Sequence, residues 1–178
     1  VVYKKRNDIL NDDDCIAPLF NCIREHVKSL LTTYCPLSNI PEEWNIDALF
    51  EELSLFLPIH ANTKDKLKQT EFEELEKTID TFIMDNKQMV IQLDTDWHEK
   101  GKKLLLNTLD QYWLRHLDYM LELKEGIHLR SYGQEDPYRN YETEGFQLFQ
   151  DMVKGINEEV SKRFFANIAP LVVENIHK

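Results

Sequence analysis

Glycine is scarce in this 178-residue sequence: five residues, at positions 101, 126, 133, 145 and 155, no two adjacent. A loop that cradles phosphate needs clustered glycines so that several backbone N–H groups can converge on the anion. The pair Gly101-Lys102 lacks the earlier glycine and the following Ser or Thr of a phosphate loop, so no nucleotide site is expected within these residues. Cysteine is also rare, and three residues are too few for a disulfide scaffold and fit a reducing compartment. Basic residues are outnumbered, 21 against 32 acidic for a net charge of −11, which speaks against a nucleic-acid-binding module with its basic face. No apolar run approaches the ~20 residues that a membrane span needs. Disorder is excluded in turn, because 42% apolar and 11% aromatic residues suffice for a core. The sequence opens on Val in what reads as the interior of a helix without an N-cap, so a piece of a longer protein is expected.

What is present is helical periodicity. After a short basic stub over 1–11 and the Asp12-Asp13-Asp14 break, Leu19, Phe20, Ile23, Val27, Leu30, Leu31 and Tyr34 recur at three and four, the spacing of one helix face. Cys35-Pro36 ends that helix, since the residue before proline avoids helical backbone. A short helix is predicted near 47–55, and another through Phe72, Leu75, Ile79, Phe82, Ile83, Val90 and Leu93. From Trp97 to about Lys124, Leu105, Leu109, Tyr112, Trp113, His116, Leu117, Met120 and Leu121 mark a helix of 20 residues or more. Gly126 and Gly133 then bracket a loop ending at Asp136-Pro137. A second long stripe follows, with Phe146, Phe149, Val153, Ile156, Val160 and Phe164. Two long helices joined by about a dozen residues make an antiparallel hairpin. No period-2 strand or internal repeat is found, so the fold class is all-α.

Side chains that could carry chemistry are few. Cys15, Cys22 and His26 share a helix face but lack the close ligand pairing and fourth ligand of a structural zinc site. Glu125/His128 and Glu174/His177 have the Glu-x-x-His spacing of di-iron bundles, yet one contains Gly126 and the other lies at the end of the sequence. His98-Glu99 lacks the second histidine of a zinc protease helix, and no motif fixes a base beside a cysteine. No catalytic residue and no metal ligand is therefore assigned. Trp44, Trp113, Phe146 and Phe149 are read as structural anchors. The loop "EGIHLRSYGQEDPY" stands apart, because it sets Ile127, Leu129 and Tyr132 beside His128, Arg130 and Gln134. Ile127 and Leu129 either fold back on the hairpin or stand in solvent for a partner.

The stretch "TLDQYWLRHLDYMLELKEGIHLRSYGQEDPYRNYETEGFQLFQDM" resembles the C-terminal scaffold of the SecA family of preprotein translocase motors. The pattern runs through Thr108, Leu109, Asp110, Trp113, His116, Leu117, Met120 and Leu123. It continues through Gly126, Ile127, His128, Leu129, Arg130, Tyr132, Gln134, Asp136, Pro137, Tyr141, Glu142 and Phe146. Upstream, "YKKRNDIL" resembles the end of the long scaffold helix, and "IREHV" with "EEWNIDALFEEL" the helical wing.

The resemblance implies that 1–12 end a scaffold helix, 13–93 form the wing, and 94–178 form the scaffold with its two-helix finger over about 104–165. It implies a finger tip of Ile127, His128, Leu129, Arg130, Tyr132 and Gln134 that touches the moving polypeptide and a SecYEG-type channel. It also implies a hairpin that restrains ATP turnover by packing on nucleotide-binding domains. Those domains, with their ATP and Mg, are absent from these residues, so no ATPase activity and no cofactor is expected here. Unfolded preprotein, the channel and the parent's own motor domains are the implied partners. The implied location is cytoplasmic, peripheral at the inner face of the cell membrane. Ser131, Gly133 and Glu135 depart from the family's usual Gly, Ala and Lys, a pattern that points to the accessory second SecA paralogue. A stand-alone helical adaptor, and behind it a di-iron bundle, are the alternative readings.

Overall fold

The computed structural model describes residues 2–11, 15–59, 63–68, 71–93, 97–130 and 136–176, with the side chains of residues 3, 5, 130 and 168–176 left out of the description. The described residues form helices α1 (Val2–Asn11), α2 (Ile16–Tyr34), α3 (Ile46–Ser54), α4 (Thr63–Leu67), α5 (Phe72–Ile91), α6 (Trp97–Arg130) and α7 (Pro137–Ile176), plus one 3-10 turn at Pro41–Glu43. They contain no strand, and the all-α expectation holds.

Local sequence explains the boundaries. In α2, Ile16, Leu19, Phe20, Ile23, Val27 and Leu31 are all buried, one face at helical spacing. The helix stops where Cys35 donates its N–H to the Leu31 carbonyl at 2.8 Å and Pro36 follows. The Asn45 side chain caps α3 by accepting from Ala48 N at 3.1 Å. Asp47 in its first turn pairs with Lys64 and Lys68, each at 2.8 Å, so α4 is tethered to α3. Leu75, Ile79, Ile83 and Val90 form the buried stripe of α5.

α6 and α7 pair antiparallel. Gly101 approaches Phe164, Tyr112 meets Gly155, His116 meets Phe149, and Met120 meets Gly145; the partner number falls as the first rises. Two glycines lie at close approaches, Gly155 on the α6–α7 seam and Gly101 against α2. A Cβ at Gly155 would overlap the Tyr112 ring, and one at Gly101 would lie 2.8 Å from Leu19 Cδ1. Each lets a neighbouring side chain come closer than any other residue would allow.

α2 lies across the base of the hairpin, against α7 above all, and also touches α3, α5 and α6. Trp97, Phe164, Phe165 and Phe20 meet there edge to face, with centroids between 5.3 and 6.4 Å. α1 docks on α6, where Arg6 holds Asp110 at 2.8 Å and Lys102 Nζ donates to the Leu10 carbonyl at 2.9 Å. Both members of that ion pair are more than a third exposed, so it orients the stub more than it stabilises it. One buried cluster runs from Ile9 through α2, α3 and α5 to Phe165.

Of the four predicted anchors, three join this core. Trp44 is half-buried, donates Nε1–H to the Pro36 carbonyl at 3.3 Å and meets Phe72 edge-on at 5.6 Å. Trp113 and Phe149 pack against the core from the two hairpin helices. Phe146 does not: it is 62% exposed, because it lies one turn beyond the last core residue of α7. Leu117 and Leu121, placed on the apolar stripe by their spacing, are likewise exposed at 46% and 58%.

Candidate functional site at the hairpin tip

The core contributes side chains to α6 only as far as Trp113 and to α7 only from Phe149 onward. Residues 114–130 therefore project about 25 Å past it at ~1.5 Å per residue. Over that length α6 and α7 hold one another through contacts that include His116 against Phe149 and Met120 and Leu123 beside Gly145. Leu123 is buried to 8% and Ile127 to 6%, one turn apart on the face turned toward α7.

The expected loop from Gly126 is not a loop. α6 continues through Gly126, Ile127, His128 and Leu129 to Arg130. A glycine within a helix costs only about 1 kcal/mol against alanine, which the burial of Leu123 and Ile127 on either side offsets. The helix restarts sharply. Asp136 Oδ1 accepts from Tyr138 N at 3.1 Å and Arg139 N at 3.3 Å, with Pro137 at the first helical position. Replacing Asp136 with Ala is expected to cost about 0.5–2 kcal/mol and to fray only the first turn of α7. Amide exchange should accelerate at 138–141 and stay unchanged beyond Met152.

The tip candidates separate by environment. Ile127 folds back and is buried, whereas Leu129 is 72% exposed; the two open alternatives each apply to one residue. His128 is exposed on the same helix, and Arg130 is its last residue. Tyr132 and Gln134 lie outside the described residues. Two tyrosines that spacing along the sequence does not mark as tip residues stand beside the candidates. Tyr138, 74% exposed, and Tyr141 line an open recess with Leu121, Lys124, Ile127 and His128. The Asp-Pro cap was the signal that could have found them, since it fixes position 138 in the first turn and 141 one turn on.

The exposed apolar residues concentrate here. Leu114, Leu117, Tyr119, Leu121, Leu129, Tyr138 and Phe146 are between 46% and 74% exposed, all on the projecting part of the hairpin. Such an arrangement offers sequence-tolerant apolar contact and amphipathic tyrosines.

The three cysteines and His26 are buried. Burial pushes the Cys35 thiol up to about 11, which keeps it protonated at neutral pH. Cys15 Sγ donates to the His98 carbonyl at 3.3 Å, Cys22 is buried in α2, and the His26 ring lies 4.9 Å from that of Phe56. Glu125 and His128 are exposed; His177 lies outside the described residues, as does the Glu174 side chain. Among the described residues no three His, Cys, Asp or Glu side chains converge as metal ligands would. No described helix is long and apolar enough to cross a membrane.

Residues 1–167 match the family model described as the SecA wing and scaffold domain. The sequence is 33% identical over 166 residues to the protein translocase subunit SecA 2 of Geobacillus thermodenitrificans, covering 90% of this chain and 21% of that protein. It is 32% identical over 169 residues to the protein translocase subunit SecA of Pelotomaculum thermopropionicum, covering 93% of this chain and 19% of that protein. The chain thus spans about a fifth of the length of these curated relatives.

Proposed function

This chain belongs to the SecA wing and scaffold family, and from that premise we propose that it is the wing and scaffold portion of a longer protein translocation motor. Residues 13–93 are the wing and 94–178 the scaffold, with 1–12 as the end of a preceding scaffold helix; the docking of α1 on α6 rather than on the wing supports that division. The work of this portion is mechanical. ATP and Mg bind motor domains elsewhere in the parent, whose turnover the hairpin restrains, and this portion passes their movement to an unfolded preprotein at a SecYEG-type channel. The parent is cytoplasmic and binds the inner face of the membrane peripherally.

One observation carries the reading: the hairpin leaves the core at Trp113 and Phe149 and projects beyond it with an exposed apolar surface. Axial hydrogen bonds along each helix and a shared packed stripe let such a pair transmit a displacement instead of absorbing it. At its end Leu129, Arg130 and Tyr132 meet polypeptide, and the aromatic ring supplies contact that tolerates any sequence.

Tyr132→Ala in the full-length protein is expected to slow translocation into inverted membrane vesicles about two- to tenfold, the worth of one aromatic contact. Tyr132→Phe should keep most of the rate. Unchanged translocation by the alanine variant at normal protein level would overturn the tip contact. A stand-alone adaptor would give a protein that captures a partner without any translocation activity to lose.

A further inference from the structure

His26 is buried to 4% in the seam between α2 and α7, and neither ring nitrogen has a hydrogen-bond partner among the described residues. Its ring lies 4.9 Å from Phe56 at the end of α3. The charges around it are Glu25 on its own helix, Asp151, Lys154, Glu158 and Lys162 on α7, and Glu52 of α3, which faces Lys162; Asp151 accepts from Gln147 Nε2 at 3.0 Å. Glu158, the carboxylate best placed to receive a second charge, is held by Lys162 at 2.7 Å. Glu25 is held by Lys28 at 2.8 Å.

We propose that His26 is an acid-sensitive latch between the wing and the hairpin, closed while its ring is neutral and loosened when the ring takes a proton. An imidazolium needs acceptors for two N–H groups, and the closed seam supplies none. Charging the ring therefore requires either pulling Glu158 from Lys162 or admitting water along the groove lined by Ser29, Gln150, Lys154 and Asn157. The first breaks an ion pair within α7; the second parts α2 from α7, the main contact between wing and hairpin.

The direction with pH follows from burial, which lowers the His26 pKa below its ordinary 6.5, opposed by Glu158 and assisted by the two lysines. The open state then binds the proton more readily than the closed one. The seam is at full strength above about pH 6.5 and weakens as pH falls toward the lowered value. Glu158, kept by Lys162 below the ordinary carboxylate range, stays charged through that window.

The test is amide hydrogen exchange of the full-length protein, read by mass spectrometry on peptides from 16–34 and corrected for intrinsic rates. The opening of α2 should be flat above about pH 6.5 and rise by up to about tenfold per unit below it, the limit for one proton. His26→Leu should flatten that slope. His116→Gln, which removes the other histidine buried among the described residues, on the hairpin itself, should retain it. If the leucine variant is insoluble, His26→Gln is closer in size, does not titrate, and should flatten the slope equally. A flat wild-type profile overturns the latch, and so does a slope that survives in the non-titrating variant.

Discussion

Phe164→Ala is expected to lower stability by about 3–5 kcal/mol. The ring is 2% exposed and is the point where three helices meet. It touches Trp97 at 6.4 Å, Phe20 at 6.1 Å and Phe165 at 5.3 Å, and its Cε2 would lie 3.5 Å from a Cβ at Gly101. Truncation removes the packing partner of α2 and α6 together, and the close approach of Gly101 leaves the backbone no room to collapse further. For a domain of this size the loss corresponds to a fall in Tm of roughly 6–20 °C. Phe146→Ala removes the same ring eighteen residues earlier on the same helix, and should move stability by about 0.5 kcal/mol or less because that ring is mostly in solvent. Thermal unfolding of the two variants side by side checks the contrast. Equal melting temperatures would mean that the aromatic junction is not what holds wing to hairpin.

The second large effect concerns transmission. Leu117→Pro in the full-length protein is expected to abolish translocation, while Leu117→Ala changes it little. Leu117 is 46% exposed, so the side chain contributes little burial to the core. Proline at that site removes the N–H bond to the Trp113 carbonyl and forces its ring against that turn, costing about 3 kcal/mol or more and kinking α6. The kink falls just beyond the last core residue, so the base stays folded while the tip is redirected. Circular dichroism should show the loss of a few helical residues only. Near-normal translocation by the proline variant would mean that the hairpin does not act as a stiff transmitter.

The helices were legible because burial and spacing agree. Leu19, Phe20, Ile23, Val27 and Leu31, or Leu75, Ile79, Ile83 and Val90, point to one side of a helix that has a core on that side. Periodicity failed where a helix outlasts its core. Leu117, Leu121 and Phe146 keep the apolar spacing of their helices, yet all three side chains are 46% exposed or more. A single sequence cannot distinguish an apolar residue facing a neighbour from one facing solvent. Gly126 misled for a different reason: its local preference is weak, and the packing of Leu123 and Ile127 outweighs it. Nothing in the spacing marks Tyr138 and Tyr141 as tip residues, because their importance comes from lying opposite Ile127 across the hairpin, a relation set by chain reversal and not by spacing along one helix. His26 was read only as a failed metal ligand. That its ring would be sealed between helices with no acceptor depends on which residues α7 and α3 bring to it.

The point at which the core ends gives the hairpin the mechanics of a cantilever clamped at one end. For such a beam, sideways compliance grows as the cube of the free length. One added heptad in each helix would carry the overhang from about 25 to about 36 Å and leave the tip roughly threefold softer. Overhang length is therefore a quantity on which selection can act independently of every contact at the tip. A longer finger reaches deeper and pushes more weakly, and the position of Trp113 and Phe149 fixes where this chain stands between the two.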